Sequence, residues 1–317
     1  MSMLLIGNIG GIIMITVFRS HDFVYEYSNV SLVSHGDCLQ ILSQIKDDQI
    51  DLIFADPPYN LGKDFGNGSD KWKNQNSYIE WCKLWIDECF RVLKDNGTFY
   101  IMNSTQNMPY IDLYISEKYN VLCRIVWIYD SSGVQSKKMY GSLYEPILMT
   151  NKSKNNLFTF NWKDIQVEAK TGAERGLIDY RKTPPQPYNN FKVPGNVWRF
   201  NRVRYKMDEY EDHPAQKPEK LLERIILASS NENEIVLDPF SGTFTTSAVA
   251  IKLNRKAIGI DSNYEYFKIG IRRSGISEVY KGLALVKNKG RKTNNKSKTD
   301  HDHYTNQNQN QNQNLNL

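Results

Sequence analysis

Four short apolar runs in this chain each stop at an aspartate: VSLVSHGD at Asp37, DLIFADPPY at Asp56, EIVLDPFSG at Asp238 and KAIGID at Asp261. Apolar runs of this length, bounded by turn residues, read as buried strands. Helical patterns lie between them. In SYIEWCKLWIDECFRVL, Tyr78, Cys82, Trp85, Cys89 and Leu93 fall on one face, with Ser77 and Glu80 as a capping-box signature. KPEKLLERIILASS turns Leu221, Leu222, Ile225 and Ile226 inward, with Pro218 at the first helical position. Strands alternating with helices predict an α/β fold with a doubly wound, Rossmann-like parallel sheet. Such sheets bind ligands at the carboxyl ends of their strands, where all four aspartates fall. One aspartate there is more often a helix cap or a turn. Four together, two followed by proline, point to a site.

The chain is long enough, at 317 residues with 40% hydrophobic, to bury a sizeable core. Cys38, Cys82, Cys89 and Cys123 show no metal-ligand spacing, so the expectation is reduced thiols in a cytoplasm and no metal site. The apolar stretch MLLIGNIGGIIMITVF (3–18) is short for a membrane span and broken by Gly7, Asn8, Gly10 and Gly11. No positive residue precedes it, which argues against a signal peptide. It suits a first strand or a leader ahead of a start at Met14, and no membrane partner is expected.

The net charge of +5 is unevenly spread. Residues 272–298 hold nine Lys and Arg against one acid, leaving the rest of the chain slightly acidic. The NQNQNQNQNLNL tail after them is of low complexity and is expected to be disordered. A second basic region covers 151–206, with twelve Lys and Arg against four Asp and Glu. There the strand–helix rhythm stops and aromatics recur, from Phe158 and Trp162 to Trp198 and Tyr205. This mixture suits nucleic-acid phosphates with stacking residues between them, and equally an irregular solvated insertion.

Two stretches carry chemistry. VLDPFSGTFTTSAVA puts a loop of small residues between a strand and a helix starting near Thr245; Gly242 lets the backbone approach a ligand. It is neither a P-loop nor a G-x-G-x-x-G turn, and a carboxylate- or ribose-bearing cofactor fits it better than a triphosphate. Asp261, twenty-three residues after Asp238, stands near the spacing at which an acid takes ribose hydroxyls. In DPPY (56–59), two prolines fix the backbone behind an aspartate and in front of a tyrosine. That makes a turn, or it holds an acceptor and an aromatic face still at the sheet edge.

DPPY at 56–59, HPAQKP at 213–218 and DPFSGT at 238–243 together resemble the S-adenosylmethionine-dependent amino-methyltransferases of DNA. The order, catalytic motif first and cofactor motif last with the irregular segment between, resembles their β group, in which the sheet is circularly permuted. RIVWIYDSSGVQSKKMYGSLYEPILM and PPQPYNNFKVPGNVWRFNRVRYKMDEYEDHP are similar to a bacterial adenine-N6 branch of that group, and the likeness spans 34–282. It implies an N-terminal segment (1–28), a catalytic half (29–150), a target-recognition region (151–212), a cofactor-binding half (213–282) and a basic, then Asn/Gln-rich tail (283–317).

The resemblance also implies roles. Asp56, Pro57, Pro58 and Tyr59 are catalytic: the carboxylate and the Pro57 carbonyl accept the amino hydrogens of the target base, and Tyr59 stacks on a base swung out of the duplex. Asp37, His213, Gln216, Lys217, Asp238, Phe240, Gly242, Thr243 and Asp261 match the cofactor-binding positions. Lys137, Lys138, Arg181, Lys182, Arg199, Arg202 and Arg204 are candidates for DNA contacts. Double-stranded DNA is the implied partner, a nucleoid-associated cytoplasmic protein the implied setting, and ATGCAT, methylated at its second adenine, the implied target. A homodimer and a partner nuclease both remain compatible. Two positions depart from the family pattern: Phe244 stands where a second glycine is usual, and Ala215 where a threonine often follows His-Pro. Cytosine-N4 methylation is the neighbouring alternative, although cytosine enzymes usually show serine at position 56. A DNA-binding protein with lapsed catalysis is another, with Phe244 the feature in its favour.

Overall fold

The computed structural model describes residues 24–27, 31–66, 68, 70–130, 137–153, 157–170 and 175–275. The apolar stretch at 3–18 and the tail at 283–317 lie outside the described residues. In chain order the elements are β1 (Val24–Tyr27), β2 (Ser31–His35), α1 (Cys38–Leu42), β3 (Ile50–Ala55), α2 (Gln75–Val92), β4 (Leu93–Met102), α3 (Met108–Lys118), β5 (Asn120–Ile128) and β6 (Tyr144–Asn151). Five short strands follow: β7 (Val167–Glu168), β8 (Ile178–Asp179), β9 (Gln186–Pro187), β10 (Phe191–Lys192) and β11 (Val197–Arg199). The chain then returns to regular alternation with α4 (Glu219–Ser229), β12 (Ile235–Asp238), α5 (Thr245–Lys252), β13 (Lys256–Asp261) and α6 (Tyr264–Arg273).

The main sheet runs β1-β2-β13-β12-β3-β4-β6-β5-β11. Its four aspartate-ended strands, β2, β13, β12 and β3, are consecutive neighbours and mutually parallel. All four aspartates therefore reach the same edge. The sheet is not parallel throughout, as the alternation predicted: β6 runs antiparallel to both β4 and β5, and β1 runs antiparallel to β2. No helix separates β5 from β6 among the described residues, so nothing between them supplies the crossover that a parallel pairing requires.

Side chains alternate across the sheet with period two. From β3, Ile53 and Ala55 enter a core with α1, α2 and α3, while Leu52 and Phe54 enter a second core with α4 and α5. Both faces are covered, which is why β3 is apolar at nearly every position. Within α2, Tyr78, Cys82, Trp85 and Cys89 are buried as the periodicity predicts. Its capping box differs: Asn74, not Ser77, is the N-cap, and Ser77 is the N3 partner returning the bond. Asn74 precedes the helix with extended backbone and a side-chain oxygen placed for the Ser77 N–H, which leaves Ser77 inside the first turn. Pro218, expected as the first helical residue, is instead the N-cap of α4, and Glu219 opens the helix.

The segment 151–212 forms two small antiparallel ribbons, β7 with β10 and β8 with β9. It also gives β11 to the edge of the main sheet, parallel to β5. Trp198, one of the aromatics that suggested stacking, is buried there in the second core. Among the described residues no helix is long and apolar enough to cross a membrane, and no group of His, Cys, Asp or Glu is placed to hold a metal ion.

Candidate active site

The turn after β3 is held from three sides. Tyr78 Oη on α2 donates to the Pro58 carbonyl at 2.9 Å, and Asn103 supports that hydroxyl at 2.8 Å. Asn107 Nδ2 donates to the Tyr59 carbonyl at 2.7 Å. The buried Asp70 carboxylate accepts the backbone N–H groups of Tyr59, Leu61 and Lys63 at 3.0, 3.3 and 2.5 Å. Prolines fix φ within the turn and these bonds fix its position, so Asp56 is presented without freedom to reorganise.

Asp56 belongs to a largely buried cluster of four groups, of which Lys217 is the most enclosed. Lys217 Nζ lies 2.5 Å from Asp56 Oδ2 and 3.5 Å from Glu145 Oε2. The Tyr59 hydroxyl donates to Asp56 Oδ1 and also stands 3.1 Å from Glu145 Oε2. Burial pushes the Asp56 pKa up, against the opposing pull of Lys217. Burial works to lower Lys217, but Asp56 and Glu145 outweigh it and hold the ammonium above its ordinary value. Burial, then the charges of Asp56 and Glu145, raise Tyr59 well above a normal phenol, so it stays protonated and donates.

Across the cleft, the β12–α5 loop is ordered by its own acids. Asp238 accepts from Phe240 N at 3.0 Å and from the Thr246 hydroxyl; burial raises its pKa to about 7. Asp261 accepts from Gly242 N at 2.8 Å and Asn263 N at 2.7 Å, and burial raises it to about 6. Gly242 has φ +50, and a β-carbon there would lie 3.0 Å from His213 Nε2. The left-handed backbone and this close approach both favour glycine. His213 packs edge-on to Tyr266 at 4.5 Å and accepts the Ala215 N–H at Nδ1, 3.1 Å away. Burial, with Lys217 and Lys63, lowers its pKa to about 3, so its ring is neutral.

All four catalytic and all nine cofactor positions named from the sequence line one cleft of about 590 Å³, within the roughly 300–1,000 Å³ usual for ligand sites. Their environments differ. Asp37 caps α1, accepting from Gln40 N at 3.1 Å. Gln216 is engaged with backbone, accepting from Glu211 N at 2.8 Å and donating to the Glu209 carbonyl at 2.5 Å. The Thr243 hydroxyl meets Arg273 Nη1 at 3.2 Å. Lys217, matched by resemblance to the cofactor side, reaches Asp56 instead. Of the seven DNA-contact candidates only Arg202 lines the cleft, its guanidinium 5.0 Å from the Tyr129 ring centroid. Arg204 donates to the Asp130 carbonyl at 3.1 Å, and Arg181 pairs with Asp179 at 2.8 Å. Lys137, Lys138 and Arg199 are exposed, and Lys182 is half-buried.

Glu145 and Asp70 were not singled out from the sequence. Glu145 had a weak signal, an acid at the head of the apolar run EPILM on β6. Asp70 had none, because its role depends on a loop that folds back on it.

The sequence departure at Phe244 resolves structurally. Its backbone is left-handed (φ +56), the conformation that favours glycine, but its ring is fully buried away from the cleft beside Val33 and Phe267. Gly259 and Gly270 make the room: a β-carbon at either would come within 2.6 or 2.5 Å of that ring. Glycines on β13 and α6 thus accommodate the ring at a position where the resemblance leads one to expect glycine. Ala215, the other departure, contributes its backbone N–H to His213, which any non-proline residue supplies.

Residues 50–272 match the family model described as DNA methylase, N6/N4. The chain is 60% identical over 265 residues to the DNA adenine methyltransferase YhdJ of Escherichia coli K12, covering 84% of this chain and 90% of that one. Among solved structures it resembles M1.HpyAVI in complex with SAM, with TM-score 0.51, 25% identity and coverage of 75% and 97%. It also resembles the cytosine-N4-specific PvuII DNA methyltransferase, with TM-score 0.57, 18% identity and coverage of 75% and 84%.

Proposed function

This chain belongs to the N6/N4 DNA methylases, and on that premise we propose that it transfers a methyl group from S-adenosylmethionine to the N6 amino group of adenine in duplex DNA, taking the base out of the helix to do so. The observation that carries this reading is the rigid Asp56-Pro57-Pro58-Tyr59 turn facing the Asp238–Gly242 loop across one cleft. Asp56 matches the adenine branch, and the likeness to an adenine methyltransferase over most of both chains supports the base. ATGCAT, with the second adenine as acceptor, is the proposed target.

The residues on the loop side fit the cofactor. Carboxylates at Asp37, Asp238 and Asp261 suit hydroxyls and cationic groups, Phe240 offers an apolar face, and Gly242 leaves the backbone open. When bound there, the cofactor supplies an electrophilic methyl group on a sulfonium. The chain's own work is on the base. An adenine amino nitrogen is a poor nucleophile because its lone pair is conjugated with the ring. Asp56, whose oxygens each keep a spare lone pair, and the Pro57 carbonyl accept its two hydrogens and draw the nitrogen toward tetrahedral geometry. Because the turn is fixed beforehand, this stabilisation needs no rearrangement at the moment of reaction. Tyr59, anchored by its hydroxyl, presents a ring for the extruded base.

We assign the catalytic half to 29–150, target recognition to 151–212 and the cofactor half to 213–282. Methyl-position mapping by long-read sequencing of DNA from cells expressing the protein, beside Asp56→Ala, tests the proposal. A single methylated adenine motif, lost in the variant, is expected. Methyl-cytosine at N4 would overturn the base, and unmodified DNA the activity.

A further inference from the structure

Methylating an amino group leaves a proton to dispose of. As the N–C bond forms and the S–C bond breaks, sulfur keeps the bonding pair and nitrogen must shed one hydrogen as a proton. Asp56 stands where that proton arrives. It cannot pass it to Lys217, which is already an ammonium without a lone pair, and on the methyltransferase reading the bound base occupies the cleft in front of Asp56, so the proton needs another way out.

We propose that Tyr59 and Glu145 form that way out: the proton taken by Asp56 moves through the Tyr59 hydroxyl to Glu145, which releases it to solvent. This deepens the methyltransferase reading and rests on it. The geometry is specific. Tyr59 Oη has one hydrogen and two carboxylate neighbours, Asp56 Oδ1 and, at 3.1 Å, Glu145 Oε2. With Asp56 ionised, the hydroxyl donates to it. Once Asp56 is protonated, it becomes the donor, and the phenol's own hydrogen swings to Glu145. One O–H bond forms on Tyr59 as another breaks, Glu145 ends neutral and Tyr59 is unchanged. Burial and both carboxylates disfavour a phenolate, so the two transfers occur together.

Lys217 gives the relay its direction. Its ammonium is 2.5 Å from Asp56 and 3.5 Å from Glu145, so a proton that leaves Asp56 restores the closer of the two ion pairs. Around the pair stand Lys63 from the loop after β3, Tyr129 after β5, Arg202 after β11 and Asp238 from β12. Lys63 is exposed and lines the same cleft as Glu145, whose side chain keeps some contact with solvent through which the proton can leave. Glu145 is thus a positioning and proton-accepting residue outside the motifs of the sequence.

Two measurements test this. In the protein without cofactor or DNA, infrared spectra are followed during acidification of wild type, Glu145→Gln and Asp56→Asn. Each substitution should shift the carboxyl bands of the acid that remains, because the Tyr59 hydroxyl bonds to both; a remaining band unmoved by either substitution overturns the relay. Single-turnover methyl transfer is then measured across pH with cofactor and DNA binding determined separately. Glu145→Gln should slow the chemical step about 100-fold or more without weakening either binding step. Glu145→Asp should recover much of the rate with a shifted pH profile. A wild-type rate in Glu145→Gln, or equal slowing of both variants at every pH, overturns it. If Glu145→Gln does not fold, Tyr59→Phe, which keeps both carboxylates, should show the same slowing. A wild-type protein that methylates nothing would instead remove the methyltransferase reading, and the infrared result would stand apart from it.

Discussion

Lys217 Nζ lies 2.5 Å from Asp56 Oδ2, with both side chains withdrawn from solvent. A buried pair of this kind adds little net stability over an apolar pair, but losing one partner strands the other's charge. Lys217→Met should therefore destabilise the fold by about 3–5 kcal/mol, measured by urea denaturation. It should also abolish methyl transfer, because Asp56 beside Glu145 with no cation takes up a proton and can no longer accept both the amino hydrogen and its proton. Full activity in Lys217→Met would mean that Asp56 stays ionised without it.

Asp238 predicts a pH dependence. Its pKa is about 7 in the fold and about 3.9 when unfolded, so the native state binds the proton more tightly. The stability from that proton is fully present below about pH 4 and is lost as pH rises to about 7. Asp238→Asn has no such loss. Thermal melts without cofactor should show the variant gaining on wild type between those limits and holding a constant advantage above them. Parallel curves across the range would contradict the assignment.

The fold was legible where one residue type had one consequence. Apolar runs broken by Asp gave the four central strands, and their parallel pairing followed from the helices between them. The reversal at β6 was not legible, because strand direction depends on where the chain turns after β5 rather than on local pattern. Asp56 and Asp238 were legible because prolines and glycine mark them locally. Glu145 was not: it reaches Tyr59 across 86 residues of sequence, and its neighbours on β6 read as plain core. Trp198 misled in the other direction. An aromatic in a basic loop fits stacking, yet parallel pairing of β11 with β5 buries it.

Phe244 and Gly270 should behave as a coupled pair. Phe244→Gly relieves a left-handed φ worth about 1–2 kcal/mol, but it empties a fully buried site, a loss of about 3–5 kcal/mol or more. The net expectation is destabilisation, with cofactor affinity close to wild type because the ring does not line the cleft. Gly270→Ala brings a β-carbon to 2.5 Å from that ring and should destabilise wild type. In the Phe244→Gly background it should cost far less, since the clash has gone. A double-mutant cycle by chemical denaturation measures the coupling, and additive effects would place the ring elsewhere.

Arg202 and Arg181 separate a charge facing the cleft from one already satisfied. Arg202 lines the cleft with its guanidinium held over Tyr129, and no carboxylate pairs with it among the ion pairs of the described residues. Arg181 forms a two-point contact with Asp179, whose charge cancels much of its attraction for phosphate. If Arg202 meets the DNA backbone, Arg202→Ala should weaken duplex binding and reduce the slope of log affinity against log salt by about one. Arg181→Ala should change both much less. Fluorescence anisotropy with a labelled duplex over a salt series reads the two slopes. A larger effect at Arg181 would move the DNA path away from the cleft and onto the β8–β9 ribbon.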